Sequence, residues 1–535
     1  MIKLNLPKLA PNKKHVPIYV FLIISIGLFF LMGYQEVAMK GPFSRHMYRQ
    51  SDSYAFALNY YYENNKLFEP SVLFELEDKG GKTASEFPVL YYFSAKIWKL
   101  TGLTPLVPRL MNLIILFIGL FYLYKLSYEI LQDHFWSFLV SFLMFSSPLL
   151  GYYGFNFIPN IPALGFALIA TYYYYKYHTS SKVHFLILAT LLFAIGALLK
   201  ISSLFVFLAI NAVFFLQNIR RIKQQRKAIL IQLGSVIFVF VMVLSWYIFS
   251  KNYNARNADG LFRQDIIPIW NLSSEHIQKI LDVAYTNTII YFLNPFALIL
   301  LGGLLTTSFV LWRKTNTTLL LMTSTIFLGI MVFILLFFEA MDAHEYFLID
   351  ATVIIPAIIL TFLSTMKGLS LKVFNSGITK SFAFVLLILS LNYSVVITRN
   401  HFNPKDKMVT DNIPLPKRVQ DYWDYCYWDW ELHRGKFEGI TPYIRSLGIK
   451  FDDKVISIPD ESPNITLTLL QQKGFTDYHY WNNYEGVKRT ERKIELGAKY
   501  MILQGDENLL RDDVAPFIRN QIGEYNGIKI YKLAN

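Results

Sequence analysis

The sequence predicts a polytopic α-helical membrane protein that carries a small soluble α/β domain at its C-terminal end. Three observations predict it. Apolar stretches of roughly bilayer length recur from Val16 to about Thr398, and a helical span needs about 20 such residues. Of the 535 residues, 54% are hydrophobic and 17% aromatic, more than a soluble chain carries. After residue 400 the long apolar runs stop, and short strand, turn and helix signals replace them.

Taken in order, the apolar stretches are 17–34, 107–131, 135–150, 161–177, 184–199, 201–217, 229–250, 288–312, 317–338, 346–364 and 380–398. About eleven transmembrane helices are therefore expected. The first is preceded by Lys3, Lys8, Lys13 and Lys14 but followed by no small-x-small cleavage site, so it reads as a retained anchor. Orientation follows from the basic loops. Arg220, Arg221, Lys223, Arg226 and Lys227 fall on the same side as the basic N-terminus, as do Arg313 with Lys314 and Lys367 with Lys372. This parity predicts a multi-pass protein of a plasma (inner) membrane, with a cytoplasmic N-terminus and an extracytoplasmic C-terminal region.

Two segments interrupt the pattern. Residues 35–106 form the first outer loop, with a helix expected near 53–64, a turn at Gly80-Gly81 and an amphipathic helix near 89–100. Tyr54, Phe56, Tyr60, Tyr91, Tyr92 and Trp98 crowd these helices, which predicts that both lie in the plane of the outer leaflet. Residues 400–535 read as the α/β domain, distinct from a transmembrane unit at 1–399. Lys454–Ile458 and 500–503 read as buried strands, Ser462-Pro463 opens a helix, and 489–496 is a second helix. Asn526-Gly527 between two short apolar runs is a hairpin signal. The linker 400–420 holds Pro404, Pro414 and Pro416, and the aromatic run 422–430 suits packing on the membrane unit or on a substrate. A further outer loop, 251–287, contains Arg256 and Arg263.

The formal charge of +13 is unevenly shared. Residues 400–535 hold 19 basic against 20 acidic side chains, leaving 32 against 18 for the membrane part. A basic excess confined to the spans and their loops fits anionic lipid headgroups and not nucleic acid. The single cysteine, Cys426, excludes an internal disulfide and a cysteine metal cluster.

Chemistry is expected where costly polar groups gather on the outer side. Asp52, in Arg49-Gln50-Ser51-Asp52-Ser53, is either a helix cap or a general base. Glu86, in Ser85-Glu86-Phe87-Pro88, is either a first-turn carboxylate or its partner in catalysis. Arg49, Arg109, Lys200 and Arg256 are candidate phosphate ligands, although a lysine at a helix end also snorkels without function. His344-Glu345-Tyr346 opens the tenth apolar stretch, and Asn160, with Asn156, opens the fourth beside Pro159. No metal-ligand spacing appears, so no cofactor is assigned. Should a divalent cation take part, Asp52, Glu86 and His344 are the ligands available.

In this order the motifs resemble a known family. Arg49-Gln50-x-Asp52, Glu86-Phe87-Pro88, Pro108-Arg109-Leu110, Pro159-Asn160 and His344-Glu345-Tyr346 look like the C-type integral membrane glycosyltransferases, especially the protein-mannosyltransferase-like and aminoarabinose-transferase-like groups. The resemblance spans roughly residues 15–400. It implies a polyprenyl-phosphate-sugar donor, a lipid, glycan or protein acceptor, and an inverting transfer on the outer face. It also matches Asp52 to the catalytic carboxylate. Two positions depart: the aminoarabinose branch usually has a lysine before paired prolines where this chain has Glu86-Phe87-Pro88, and the family often has aspartate where this chain has Asn160. The alternative reading is a lipid or glycan transporter or flippase, for which polar groups should thread the bilayer midplane. A membrane-anchored binding protein is a third reading, and eleven spans are excessive for an anchor.

Overall fold

The structure is a computed structural model. It describes residues 16–76, 80–221, 223–257, 261–262, 266–403, 417–478 and 485–533. The N-terminal lysines (Lys3, Lys8, Lys13 and Lys14), Arg263 and the linker prolines Pro404, Pro414 and Pro416 lie outside the described residues.

Six helices are long and apolar enough to cross a membrane: Leu106–Leu131, Ile201–Arg221, Arg226–Asn257, Thr317–Leu336, Glu345–Leu369 and Gly377–Phe402. Four shorter apolar helices accompany them, Val16–Leu31, His134–Phe145, Val183–Leu199 and Pro295–Val310. The helix Asn160–Ser180 covers the fourth apolar stretch, its Tyr172, Tyr173, Tyr174 and Tyr175 making it the less apolar element. Arg226–Asn257 leaves Ile237, Phe240, Val241 and Leu244 exposed, a surface that hydrocarbon solvates and water does not.

Three expected stretches are broken where local chemistry ends a helix. The chain restarts at Pro148 after Ser146-Ser147, giving His134–Phe145 and then Pro148–Tyr153; proline suits a first turn because it has no N–H to lose. Ile289–Phe292 is separated from Pro295–Val310 by Asn294, whose side chain caps the second helix. The tenth stretch begins as 3-10 turns from Glu345 and becomes α-helical only at Ile354.

Small residues let the helices approach. A Cβ on Gly119 would sit 2.8 Å from Gly165, so Leu106–Leu131 and Asn160–Ser180 meet backbone to backbone. Hydroxyl and amide pairs join other helices: Thr190 with Ser235 at 2.6 Å, Gln232 with Asn211 at 2.7 Å, and Thr323 with Thr361 at 2.8 Å.

The first outer loop differs from expectation. Its first helix is Met47–Tyr62, starting six residues earlier than the aromatic pattern suggests, and it is buried along most of its length. Val89–Thr101 packs on one side and Ile465–Leu470, from the C-terminal region, packs on another. Several of its polar side chains find protein partners, Gln50 on the Phe43 and Arg45 carbonyls, Asp52 on Asn464 and Asn59 on the Val72 carbonyl, which is how an element of little net hydrophobicity is buried.

The C-terminal region contains a five-stranded sheet in the order β2-β1-β3-β5-β4. The strands are β1 (Lys454–Ile458), β2 (Gly474–Phe475), β3 (Ala498–Gln504), β4 (Asn520–Tyr525) and β5 (Ile528–Lys532). β1 runs parallel to β2 and β3, and β5 is antiparallel to β3 and β4. Asn526 and Gly527 both have positive φ, the geometry that a two-residue hairpin turn requires. The sheet extends into the first outer loop: Glu75 donates its N–H to Gly474 O at 2.8 Å, and Gly474 N–H donates to Leu73 O at 3.2 Å.

Candidate functional site

Arg49 and Asp52 stand one turn apart on Met47–Tyr62 and share a face. Glu86 reaches them from the segment before Val89–Thr101. That segment is held at several points: Asn254 exchanges hydrogen bonds with the Ala84 backbone, Trp246 donates to Ser85 O, and Phe87 N–H donates to Leu198 O at 3.0 Å. The last contact puts Glu86 beside Lys200, where the chain is extended between Val183–Leu199 and the next helix.

Glu86 and Arg49 form an ion pair, Nη2 to Oε1 at 2.5 Å. Ser85 and Tyr91 also donate hydroxyl hydrogen bonds to Glu86. Burial alone would raise the Glu86 carboxyl, but the Arg49 charge and these donors outweigh it and hold it down at about 2. Arg49 spends a second N–H on Ser53 at 3.0 Å.

Asp52 behaves in the opposite way. It is 2% exposed, and burial pushes its carboxyl up to about 7 against the pull of Arg49 and Asn464. Asn464 Nδ2 donates to Asp52 Oδ1 at 2.9 Å, and Asn464 Oδ1 accepts the Phe74 N–H at 3.2 Å. An amide from the C-terminal region is thus fixed by the outer loop and aimed at Asp52. Asp52 sits inside the helix, so it is no cap; the cap position belongs to His46.

The Lys200 amine makes no hydrogen bond or ion pair among the described residues, and its Nζ lies 4.3 Å from the Phe347 ring centroid. Burial and then the like charge of Arg49 push its amine down to about 8. His344 stands nearby, its ring 5.8 Å from His46 and its buried Nδ1 unpartnered. Burial, reinforced by His46, lowers His344 to about 4, so it is neutral.

Other expected ligands are occupied. Arg109 is buried, and its guanidinium donates to the carbonyls of Phe155, Lys40 and Gly41. It clamps three backbone carbonyls. Glu345 accepts two bonds from Arg45 at 2.5 and 2.7 Å, one from Tyr153 at 2.6 Å, and lies 2.9 Å from His46 Nε2. Arg45 stacks on Tyr291 and Tyr422. Glu345 is therefore the counter-ion that fixes the outer loop to the spans. Asn160 donates to Tyr346 O at 3.2 Å, and the Tyr346 ring packs on His46 at 5.0 Å. Arg256 is exposed and bonded to its own helix at Asn252 O; nothing joins it to the Arg49–Glu86 pair. Among the described residues, no three His, Cys, Asp or Glu side chains converge as a metal site. Asp52 is directed to Asn464 and Glu86 to Arg49.

Sequence reasoning missed Asn464, Arg45 and His46. Asn464 follows Ser462-Pro463 at a helix start and looks like a cap. Arg45 precedes the helix, 300 residues before its partner.

The family described as Dolichyl-phosphate-mannose-protein mannosyltransferase matches residues 84–246. That stretch holds Glu86, Arg109, Asn160 and Lys200. No curated protein matches the chain. Among solved structures, ArnT from Cupriavidus metallidurans in the apo state is similar over 97% of this chain and 98% of its own, at 10% identity and TM-score 0.56. ArnT bound to undecaprenyl phosphate is similar over 96% and 97%, at 12% identity and TM-score 0.56. The chain has the fold of ArnT and resembles the C-type integral membrane glycosyltransferases.

Proposed function

We propose that this chain is a polyprenyl-phosphate-dependent glycosyltransferase that works on the extracytoplasmic face, with Asp52 as general base. One observation carries the reading: a buried carboxyl, pushed up to about 7, lies one helical turn from Arg49, whose ion-pair partner Glu86 stands near the Lys200 amine. A general base works best when its pKa is near the working pH. The likeness to ArnT, solved with undecaprenyl phosphate, supports a lipid-phosphate donor.

In this mechanism the donor enters sideways from the bilayer. Lys200 takes the phosphate, with Arg49 adding positive field while Glu86 keeps Arg49 in place. The acceptor O–H or N–H gives its proton to Asp52 as its lone pair attacks the anomeric carbon. The bond from that carbon to the phosphate oxygen breaks on the opposite face, which inverts the configuration. The electron pair leaves with the phosphate, and the cations stabilise that charge. Asn464 fixes the carboxylate orientation. About eleven spans, a cytoplasmic N-terminus and an extracytoplasmic region from 400 to 535 put this centre at the outer membrane surface.

The test is Asp52→Asn in purified protein given a polyprenyl-phosphate sugar. Transfer should fall about 10²–10⁴-fold, the usual worth of general-base help, while binding of undecaprenyl phosphate persists. Near-normal turnover would sink the assignment.

A further inference from the structure

The helices Leu106–Leu131 and Asn160–Ser180 begin beside the candidate site, where Arg109 holds the Lys40 and Gly41 carbonyls and Asn160 holds Tyr346 O. Near their other ends, at Glu129 and His178, a cavity of about 530 Å³ opens between them and the helices Ile201–Arg221, Thr317–Leu336 and Glu345–Leu369. Its deep walls are Leu126, Leu168, Ile210, Ile326, Val353 and Leu360. The hydroxyls set among them are already spent: Thr171 donates to Ala167 O at 2.7 Å, and Thr323 and Thr361 bond each other at 2.8 Å. A water molecule needs two to four polar partners, so these walls hold hydrocarbon better than water. Ala357 keeps exposed surface in the lining while its chain neighbours Pro356 and Ile358 are buried. The mouth is different. His178, Asn316 and Thr318 are exposed there, Tyr174 and Tyr175 are half-buried, and Glu129 pairs with Lys176 at 3.0 Å.

We propose that this cavity takes one acyl chain of a membrane phospholipid, with the headgroup at the mouth. Length supports that occupant. On the helix Glu345–Leu369 the lining runs from Val353 to Ser364, about 16 Å at the rise of an α-helix. One leaflet of hydrocarbon has about the same depth, half of a bilayer core of about 30 Å. A chain that crosses a single leaflet therefore fits, whereas a tail such as undecaprenyl outruns the space. The two ends of the cavity match the two ends of such a lipid. Tyrosine suits headgroup level because its ring is apolar and its hydroxyl can be wet. Glu129 and Lys176 place one charge of each sign there, as a zwitterionic headgroup does. The chain gains no hydrophobic energy on entering, since hydrocarbon surrounds it in both places; the walls gain the dispersion contacts that a void lacks. The site is separate from the transfer centre and does not depend on the transferase reading.

The test places the full chain in phosphatidylcholine nanodiscs with a minor share of phosphatidylethanolamine that carries a diazirine on one chain. Adducts formed on irradiation are mapped by peptide mass spectrometry. A diazirine at the terminal carbon should mark Ile326 and Val353, which are 3% and 4% exposed and out of reach of lipid that only surrounds the protein. A diazirine near the ester should mark Tyr174 and Ser364 instead. Val241 and Leu244, exposed on Arg226–Asn257, report ordinary bilayer contact of the terminal-carbon probe. This shift of adducts along the cavity is read in the natural protein and needs no variant. Ala357→Trp should fill the space, losing the Ile326 and Val353 adducts and keeping those at Val241. Asp52→Asn should label as the natural chain does, which separates this result from the fate of the transferase reading. Adducts confined to Val241 and Leu244 overturn the proposal, as do Ile326 adducts that persist in folded Ala357→Trp protein. Marking of Ile326 by undecaprenyl phosphate with a terminal diazirine, and not by the phospholipid, overturns it too and gives the cavity to an isoprenoid chain.

Discussion

Two carboxylates one loop apart have been driven in opposite directions, and the cause is local. Glu86 has an arginine and two hydroxyl donors; Asp52 has one amide and burial. A base must be ionised, so kcat/KM should rise with pH through about 7 as Asp52 loses its proton. A phosphate-binding lysine must be charged, so the same parameter should fall through about 8 as Lys200 loses its own. Lys200→Arg should move only the alkaline limb upward, because guanidinium stays charged; a profile flat across this range in the natural protein would exclude both roles. Stability gives a second check. The Asp52 carboxyl is raised by folding, so its contribution is complete at low pH and is lost as pH rises to about 7. Asp52→Asn should therefore raise the free energy of unfolding at about pH 8, by on the order of 4 kcal/mol at most, and Tm with it, and change both little at about pH 4. Asp52, Glu86 and Lys200 were legible in the sequence because a charge beside long apolar runs is anomalous. Asn464 was not, because an asparagine at a helix start already has a local explanation.

Elements are joined here by ionic and edge contacts that no periodicity encodes. Hydrophobic runs located the helices, yet they did not show that 135–150 restarts at Pro148 or that the tenth stretch opens as 3-10 turns. They also gave no sign that Met47–Tyr62 is covered by Ile465–Leu470 and by Val89–Thr101. Strands β1, β3 and the hairpin were readable from short apolar runs and turn chemistry, whereas the bridge from Leu73 and Glu75 to Gly474 joins backbones 400 residues apart. The Arg45–Glu345 pair has the same character. Both side chains are buried, and removing one charge of a buried pair costs about 3–5 kcal/mol because the other is stranded. Glu345→Gln should lower stability on that scale, read as Tm in detergent. Arg45→Met combined with Glu345→Leu should recover much of it. If the single variant melts with the natural protein, the pair does not fasten the outer loop.

The whole molecule is organised by side. Asp52, Glu86, Lys200 and His344 gather with Asn464 of the C-terminal region, while Lys367 reaches Leu131 and Gln217, three residues before Arg220, reaches Thr318 beside the Arg313 loop. Helix counting alone cannot give this, since a single miscounted span inverts every later loop. One orientation in the bilayer would account for both the positive loops and the clustering of the site. That orientation is open to direct measurement. With Cys426→Ser as background, the chain has no thiol. Leu510, 86% exposed in the sheet region, and Arg220, exposed in a basic loop, are then replaced one at a time by cysteine. A membrane-impermeant maleimide added to intact cells should label Leu510→Cys at once and Arg220→Cys only after the membrane is opened. The reverse pattern would place Asp52 on the cytoplasmic side, where a donor presented on the outer leaflet never reaches it, and the proposed transfer would fail with it.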